Sequence, residues 1–285
     1  MHVLLTGASG TVGRFLLARL LDDGCKVTVL GRQPVAGFGA DFRPYDLADP
    51  DPHLPEADAL VHCALMHEPG RFRGGEGGDP ERFRALNVGG TQALFLAARD
   101  AGCGQAVFLS SRAVYGDHRW GAELRETDTP EPNTLYGEVK LAGEEGLKAL
   151  CGPGFQGTAL RATGIYGVPP GLADHKWSGL FRDFTVGLPI TPRQGTEVHG
   201  GDLAAAVSLV LNTQRENPFQ VCNVSDIQID RRELLRLYAR EKGLDAALPE
   251  TAATVPGEMS TDRLRALGWS PGGWEKLKAF LRSLP

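Results

Sequence analysis

Thr6-Gly7-Ala8-Ser9-Gly10-Thr11-Val12-Gly13 stands between an apolar run, Met1 to Leu5, and a segment with an apolar helical face, Arg14 to Leu21. The pattern predicts a strand that turns sharply into a helix. Gly7, Gly10 and Gly13 recur at every third position. A Cβ at such positions blocks the tight turn, the approach of a ligand, or the packing of helix on strand. The turn sets the helix N-terminus at the tip of the strand. Its free N–H groups, including those of Thr11 and Val12, and the positive end of its dipole then form a seat for a pyrophosphate. Glycines also mark ordinary strand-to-helix turns, so the loop does not decide the matter alone.

The next strand, Cys25 to Leu30, ends in Gly31-Arg32. In a dinucleotide-binding fold this tip faces the adenine ribose. An acid there takes the 2′-hydroxyl of NAD, whereas an arginine accommodates the 2′-phosphate of NADP. The tip carries Arg32 and no acid, which points to NADP, with NAD as the alternative. Further on, Asp58 to Ala64 reads as a strand buried on both faces. Residues 66–80 form a glycine-rich charged stretch just past a strand end, read either as a mobile loop over the site or as a merely disordered loop. A helix is expected from Pro80 through Asn87 to Ala101, then a strand from Ala106 to Leu109.

This alternation of strands and helices continues to about Gly167 and predicts an α/β, Rossmann-type doubly wound parallel sheet. After Val168-Pro169-Pro170-Gly171 the texture changes to helical segments (Trp177 to Val186, Asp202 to Leu211) and an isolated strand (Gln220 to Val224). We therefore expect a dinucleotide-binding domain over residues 1–167 and a smaller substrate lobe over 168–285, with some segments returning to the core. Composition is that of an ordinary globular chain: 285 residues, 42% hydrophobic and 23% charged. The net charge of −5 gives no support for a nucleic-acid surface. No apolar run reaches the ~20 residues of a membrane span. The five cysteines form no CxxC pair. With no charged leader at Met1, they suggest a cytoplasmic protein with reduced thiols. No histidine spacing suggests a metal site.

Ser110-Ser111-Arg112 follows a strand end, and Tyr136 and Lys140 are four apart on an expected helix from Leu135 to Leu150, hence on one face. A lysine ammonium beside a phenol lowers the phenol pKa from about 10 and makes it a usable proton donor and acceptor. Ser111 can hold the oxygen with which that proton is exchanged. A surface Tyr–Lys pair on an amphipathic helix has the same spacing. In the lobe, the loop clusters Asp174-His175-Lys176-Trp177 and Pro192-Arg193 make His175, Trp177 and Arg193 candidates for facing a sugar, a carboxylate or a phosphate, with solvated loop charges as the alternative reading; Arg112 is another candidate beside Ser111.

Taken together, the glycine loop, the serine at a strand end and Tyr136-x-x-x-Lys140 resemble the short-chain dehydrogenase/reductase superfamily. The closer likeness is to its extended branch, the NAD(P)-dependent epimerase/dehydratase family. Val61-His62-Cys63-Ala64, Asn87-Val88-Gly89-Gly90-Thr91 and Leu160-Arg161-Ala162-Thr163-Gly164-Ile165-Tyr166-Gly167 resemble further segments of that family. So do Val198-His199-Gly200-Gly201-Asp202 and Leu264-Arg265-Ala266-Leu267-Gly268-Trp269-Ser270-Pro271. The resemblance implies hydride exchange between a nicotinamide and a carbonyl or alcohol carbon. It assigns the proton to Tyr136, its tuning and the ribose to Lys140, and the substrate oxygen to Ser111. It also places Asp46, Leu47, Cys63, Ala64 and Asn87 around the cofactor, and implies a homodimer through the helices holding Asn87 and Tyr136. Ser111-Arg112-Ala113 departs from the Thr-Asp-Glu triplet of the sugar dehydratases, and Gly31-Arg32 departs from the acidic tip of the NAD-holding epimerases. An NADP(H)-linked oxidoreductase fits these departures. The alternatives are a nucleotide-sugar epimerase with tightly bound NAD and a non-enzymatic NADP sensor, against which the Tyr–Lys pair argues.

Overall fold

The computed structural model describes residues 1–68, 75–117 and 119–285. Residues 69–74, within the loop expected over the site, lie outside this set. β1 (His2–Thr6) feeds α1 (Thr11–Asp22), which starts three residues before the expected Arg14 because its first turn lies inside the glycine loop. There follow β2 (Lys26–Gly31), β3 (Asp41–Pro44) and β4 (Ala59–His62). Along β1, Val3 and Leu5 enter one apolar cluster with Leu16, Leu17 and Leu20 of α1. Leu4 enters a second, with Leu60 and Phe95 on the opposite face. A strand whose alternate side chains are both buried belongs at the centre of a doubly covered sheet.

The expected single helix after Pro80 is a rod of three parts: α2 (Pro80–Arg84), a π-helical turn (Ala85–Gly90) and α3 (Thr91–Asp100). The π turn has side-chain and steric reasons given below. β5 (Gln105–Ser111), a 3₁₀ turn (Arg112–Tyr115), α4 (Leu135–Leu150), β6 (Gln156–Ala162) and β7 (Gly164–Tyr166) come next. The remainder is α5 (Ser178–Thr185), β8 (Gln194–His199), α6 (Gly200–Leu211), β9 (Phe219–Val224), β10 (Ile227–Asp230), α7 (Arg231–Lys242), α8 (Asp262–Ala266) and α9 (Gly273–Ser283).

Among the described residues, seven strands form one sheet in the order β3-β2-β1-β4-β5-β6-β9, and three form a small sheet, β10-β8-β7. Every pairing in the large sheet is parallel. The order reverses between β1 and β4, so a crevice opens at their carboxyl ends, where ligands of such sheets bind. The strand expected to stand isolated, Gln220 to Val224, instead pairs along β6 and closes the large sheet. α6 likewise packs on α1, with Leu203, Val207 and Val210 in the first cluster. The sheet needs a cover over its β6 side, and the chain supplies it after residue 168. What stands apart is a third cluster, in which Trp177, Phe181, Leu235 and Phe280 join α5, α7 and α9 beside the small sheet. No helix of the described residues is long and apolar enough to cross a membrane.

Candidate active site

The glycine loop is built as its spacing demands. Gly7 has φ +71°, and a Cβ on it would stand 2.7 Å from Ala64 N. A Cβ on Gly13 would overlap the Gly7 carbonyl oxygen, so α1 can lie against the loop only with glycine there. At Gly10 a Cβ would meet only Gly7 O, at 3.4 Å, so that face of the loop is open. Gly10 caps α1 without any side-chain hydrogen bond. The first helical N–H groups, from Thr11 to Gly13, have no carbonyl a turn earlier to bond. An open cradle, orphan N–H donors and a helix dipole fit a pyrophosphate. Arg14 closes one side of the cradle, with Nη1 donating to Pro170 O at 3.1 Å. Arg32 lies exposed past the end of β2, and Arg43 stands on the adjacent strand, level with Leu30.

The ends of neighbouring strands are tied to each other. Cys63 Sγ donates to Thr6 O at 2.8 Å, and burial pushes the thiol up to about 12. Cys63 is thus a clamp between β1 and β4 and no nucleophile. His62 lies wholly buried between Thr6 Oγ1 at 2.7 Å and Thr91 Oγ1 at 3.0 Å. Burial, with a smaller push from Lys140, lowers its pKa to about 3, so the ring is neutral. Asn87 sits in the π turn. Its Nδ2 donates to Met66 O and Phe83 O, and its Oδ1 accepts from Met66 N at 2.8 Å. A Cβ on Gly90 would overlap Leu47 O. The wide turn thus lets the rod reach two strand-end loops at once, as π turns at ligand sites often do. Asp46 accepts from Ala48 N at 2.9 Å and shapes the turn that carries Leu47.

Ser111 closes β5. Its Oγ accepts from Ala113 N at 3.1 Å and caps the 3₁₀ turn, which leaves the hydroxyl proton to donate. α4 is capped by Thr134, whose Oγ1 accepts from Gly137 N at 3.1 Å. It docks on that same turn. A Cβ on Gly137 would stand 2.5 Å from Ala113 O, and one on Gly143 would stand 2.6 Å from the Phe108 ring. These two glycines let Tyr136 and Lys140 approach the end of β5. Lys140 is 4% exposed. Its Nζ donates to Leu109 O at 2.8 Å and lies 4.9 Å from the Phe108 ring centre and 6.0 Å from that of Tyr136. Burial lowers its pKa to about 8. Ser111, Tyr136 and Lys140 therefore come to one edge, beside the glycine loop.

A buried ion pair lies behind them. Arg161 on β6 bonds both carboxylate oxygens of Glu144, one turn after Lys140 on α4, at 2.7 to 3.2 Å. Ser110 Oγ donates to the same carboxylate. The Arg161 guanidinium lies 4.7 Å from the Tyr115 ring centre, and Tyr115 OH donates to Asn223 Oδ1 at 2.7 Å. Arg161 and Glu144 lie on different elements, so no spacing in the sequence marks their pairing.

The four residues expected to face a substrate fall in different surroundings. Trp177 is 6% exposed and stacks on Tyr166 at 5.2 Å, because its indole completes the third apolar cluster. His175 Nδ1 accepts from Trp177 N at 3.2 Å, and its ring meets the edge of Phe280, which makes it a packed turn residue. Arg112 is 9% exposed. It holds Gly257 O and Asp117, and so clamps the C-terminal segment onto the 3₁₀ turn. Arg193 is exposed, on the loop leading into β8. Lys176, in the loop cluster 174–177, pairs beside Gly164 with Glu197, which sequence reading passed over. His199 and Asp202 are structural. The first caps α6 through Gly201 N, and the second binds Lys276 and Gly272 N.

A family model described as "NAD dependent epimerase/dehydratase family" matches residues 3–225. The chain belongs to that family. It is 32% identical to a UDP-glucose 4-epimerase of Streptomyces lividans over 310 aligned positions, covering 94% of this chain and 91% of that one. It is 26% identical to a 4-hydroxy-2-methyl-3-oxo-4-farnesyl-3,4-dihydroquinoline-1-oxide ketoreductase of Stigmatella aurantiaca, covering 94% of this chain and 82% of that one. Among solved structures, MoeE5 in complex with UDP-glucose and NAD superposes with a TM-score of 0.82 at 25% identity, covering 100% of this chain and 98% of that one. The chain is thus an NAD(P)-dependent enzyme of the short-chain dehydrogenase/reductase superfamily, whose relatives are epimerases and ketoreductases.

Proposed function

We propose that the protein is an NADP(H)-linked oxidoreductase acting on a carbonyl or alcohol. The observation that carries this is Lys140 buried at the end of β5, its ammonium over the Tyr136 ring and bonded to Leu109 O, two residues before Ser111. The glycine loop would hold the pyrophosphate, Arg32 with Arg43 the 2′-phosphate, and Lys140 the ribose. The cofactor, once held, supplies or accepts a hydride. In reduction, Ser111 donates its hydroxyl proton to the substrate oxygen and fixes that oxygen against Tyr136. Tyr136 OH passes its proton to the same oxygen. Lys140 favours the phenolate that remains, by charge at short range in a dry site. In oxidation the proton returns to Tyr136. Ser111-Arg112-Ala113 places no carboxylate there to aid loss of water, which speaks for hydride exchange over dehydration.

The test is Tyr136→Phe. Turnover of carbonyl compounds with NADPH should fall by 10²-fold or more, with nucleotide affinity kept. An unchanged rate refutes the assignment. The likeness to the Streptomyces epimerase favours a second reading, a nucleotide-sugar 4-epimerase that retains NAD. Stoichiometric NAD released on denaturation would establish it. A homodimer through the Asn87 rod and α4 accords with Leu96 of α3, 42% exposed. A monomeric mass by light scattering contradicts it. Five cysteines without a disulfide suit a reducing compartment such as the cytoplasm.

A further inference from the structure

β9 ends at Val224, which pairs with Ala162, and Ala162 pairs in turn with Ser111. Ser225, the next residue, therefore emerges at the carboxyl edge two strands from Ser111, ~10 Å across the sheet. A cavity of about 240 Å³ opens there. Its walls come from the end of β9, from β8 and β10 of the small sheet, and from residues 258–262 of the C-terminal segment. That segment is held in place by Leu124, which bonds Glu258 O and Ser260 N. Ser225 is 8% exposed, yet its hydroxyl has no hydrogen-bond partner among the described residues. A serine buried to this extent ordinarily bonds within the fold. This one lines the cavity, and its hydroxyl is left for whatever enters.

The charge around that hydroxyl is one-sided. Glu123, Asp226, Glu258 and Asp262 line the cavity, against one cation, Arg265. Glu123 is neutralised by Arg125. Arg265 is engaged elsewhere: its Nε donates to Thr261 Oγ1 at 3.0 Å, and its guanidinium lies 5.8 Å from the Trp269 ring centre. Asp226 accepts from Gly273 N at 2.8 Å, and Glu258 and Asp262 are exposed at the mouth. None of these three carboxylates forms an ion pair among the described residues. Nor do any three acidic, histidine or cysteine groups among those residues converge to hold a metal ion. The negative field is thus spread around a space wider than a bare cation needs. The space is also smaller than the ~300–1,000 Å³ that encloses a drug-sized ligand. It suits one end of a molecule whose reacting carbon lies at Ser111.

We infer that this cavity receives an ammonium group borne by the substrate. The ammonium N–H donates to Ser225 Oγ, and Asp226, Glu258 and Asp262 supply the counter-charge. The inference rests on the oxidoreductase reading of the edge. It narrows the substrates to carbonyl or alcohol compounds that carry an amine a few carbons from the reacting oxygen. It disfavours those that set a phosphate against this cavity, where like charges would meet.

Binding is measured by calorimetry on the protein saturated with NADP, whose oxidised nicotinamide cannot reduce a ketone. The probes are three methyl ketones that differ in the group borne beyond three methylenes. They are 5-(dimethylamino)pentan-2-one, protonated at pH 7, its neutral isostere 6-methylheptan-2-one, and the anion 5-oxohexanoate. The ammonium probe should bind ~10-fold or more tighter than the neutral one, and the anion no tighter than the neutral one. Ser225→Ala should weaken the ammonium probe ~5-fold or more and leave the neutral one unchanged. Glu258→Gln with Asp262→Asn should remove most of the preference, and an unchanged NADP affinity shows that the variants are folded. The probe series on the unaltered protein depends on no variant. Equal binding of the ammonium and neutral probes, no binding of the ammonium probe, tighter binding of 5-oxohexanoate, or a preference untouched by these substitutions overturns the inference. Reduction of the ammonium probe by NADPH at a rate that Tyr136→Phe leaves unchanged refutes the proposed chemistry instead, and leaves the binding result standing.

Discussion

Replacing Glu144 by Gln removes one charge from the most enclosed ion pair among the described residues, in which both side chains are 4% exposed. Arg161 reaches Glu144 through three close N–O contacts, between 2.7 and 3.2 Å. The glutamine keeps one oxygen, so Ser110 retains an acceptor, but the fork is lost. A guanidinium does not shed its proton in a protein. Arg161 therefore stays charged, and its Nη1 already has no hydrogen-bond partner. The Tyr115 ring face at 4.7 Å returns only about 1 kcal/mol. Breaking a buried pair from one side costs about 3–5 kcal/mol, and Glu144→Gln should cost that much. Glu144→Gln combined with Arg161→Met removes the stranded charge and should recover most of the loss, with a coupling energy of ~2 kcal/mol or more. Urea unfolding of the wild type, both single variants and the double variant at pH 7 gives the four stabilities, provided that m is unchanged. A Glu144→Gln cost below ~1 kcal/mol, or costs that simply add, would refute the claim that the pair shields a charge.

Lys140→Met should stabilise the nucleotide-free protein while abolishing turnover. The folded pKa of about 8 lies below the 10.5 of a free lysine, so keeping the ammonium charged at pH 7 costs roughly 3 kcal/mol. That cost fades as pH rises from 8 to 10.5; a destabilised Met variant in chemical unfolding counts against it. His62 gives the acid limit. With a folded pKa of about 3 against 6.5 unfolded, its neutral ring supports the fold fully above pH 6.5. That support is lost as pH falls from 6.5 through 3. In NMR its ring should stay neutral at pH 5, and titration near 6.5 would show that the Thr6–His62–Thr91 chain is open to water. Arg32→Ala should weaken NADP binding ~10-fold and leave NAD unchanged, by fluorescence titration; equal loss for both nucleotides would remove Arg32 from the 2′-phosphate.

What could be read beforehand divides by range. Gly7 and Gly13 are legible because their reasons are local: a positive φ at Gly7 and the close approach of α1 at Gly13. The four-residue step from Tyr136 to Lys140 is legible because a helix converts it into a shared face. The role of Gly164 was hidden. It leaves space for Lys176 and Glu197, which are brought to it by a loop and by the neighbouring strand β8, more than thirty residues later in the chain. Trp177 misled for the same reason. An aromatic beside charges looks like a ligand contact in sequence, and its stacking on Tyr166 depends on the third cluster forming. Likewise β9 looked solitary because its partner, β6, lies more than fifty residues earlier in the chain.

Lys140 and Glu144 lie one turn apart on α4, the spacing at which opposite charges pair. A lysine buried for stability alone would take that carboxylate. Here Glu144 is claimed by Arg161 and Ser110, and Lys140 donates to a backbone carbonyl, Leu109 O. Glu144 acts on the ammonium only through space, too weakly to offset its burial, and the pKa falls. By engaging the nearest counter-ion, Arg161 keeps the Lys140 charge poised toward Tyr136 and the end of β5. The ion pair and the lysine thus form one device. Arg161 and Ser110 hold Glu144, Lys140 is left on a backbone carbonyl, and in the proposed chemistry the Tyr136 phenolate would be the anion that the ammonium stabilises. Loss of Arg161 alone should therefore let Lys140 turn to Glu144, and the pH profile of turnover should move to higher pH as the Tyr136 phenol loses its cation. An unchanged profile in a folded Arg161→Met protein would separate the two.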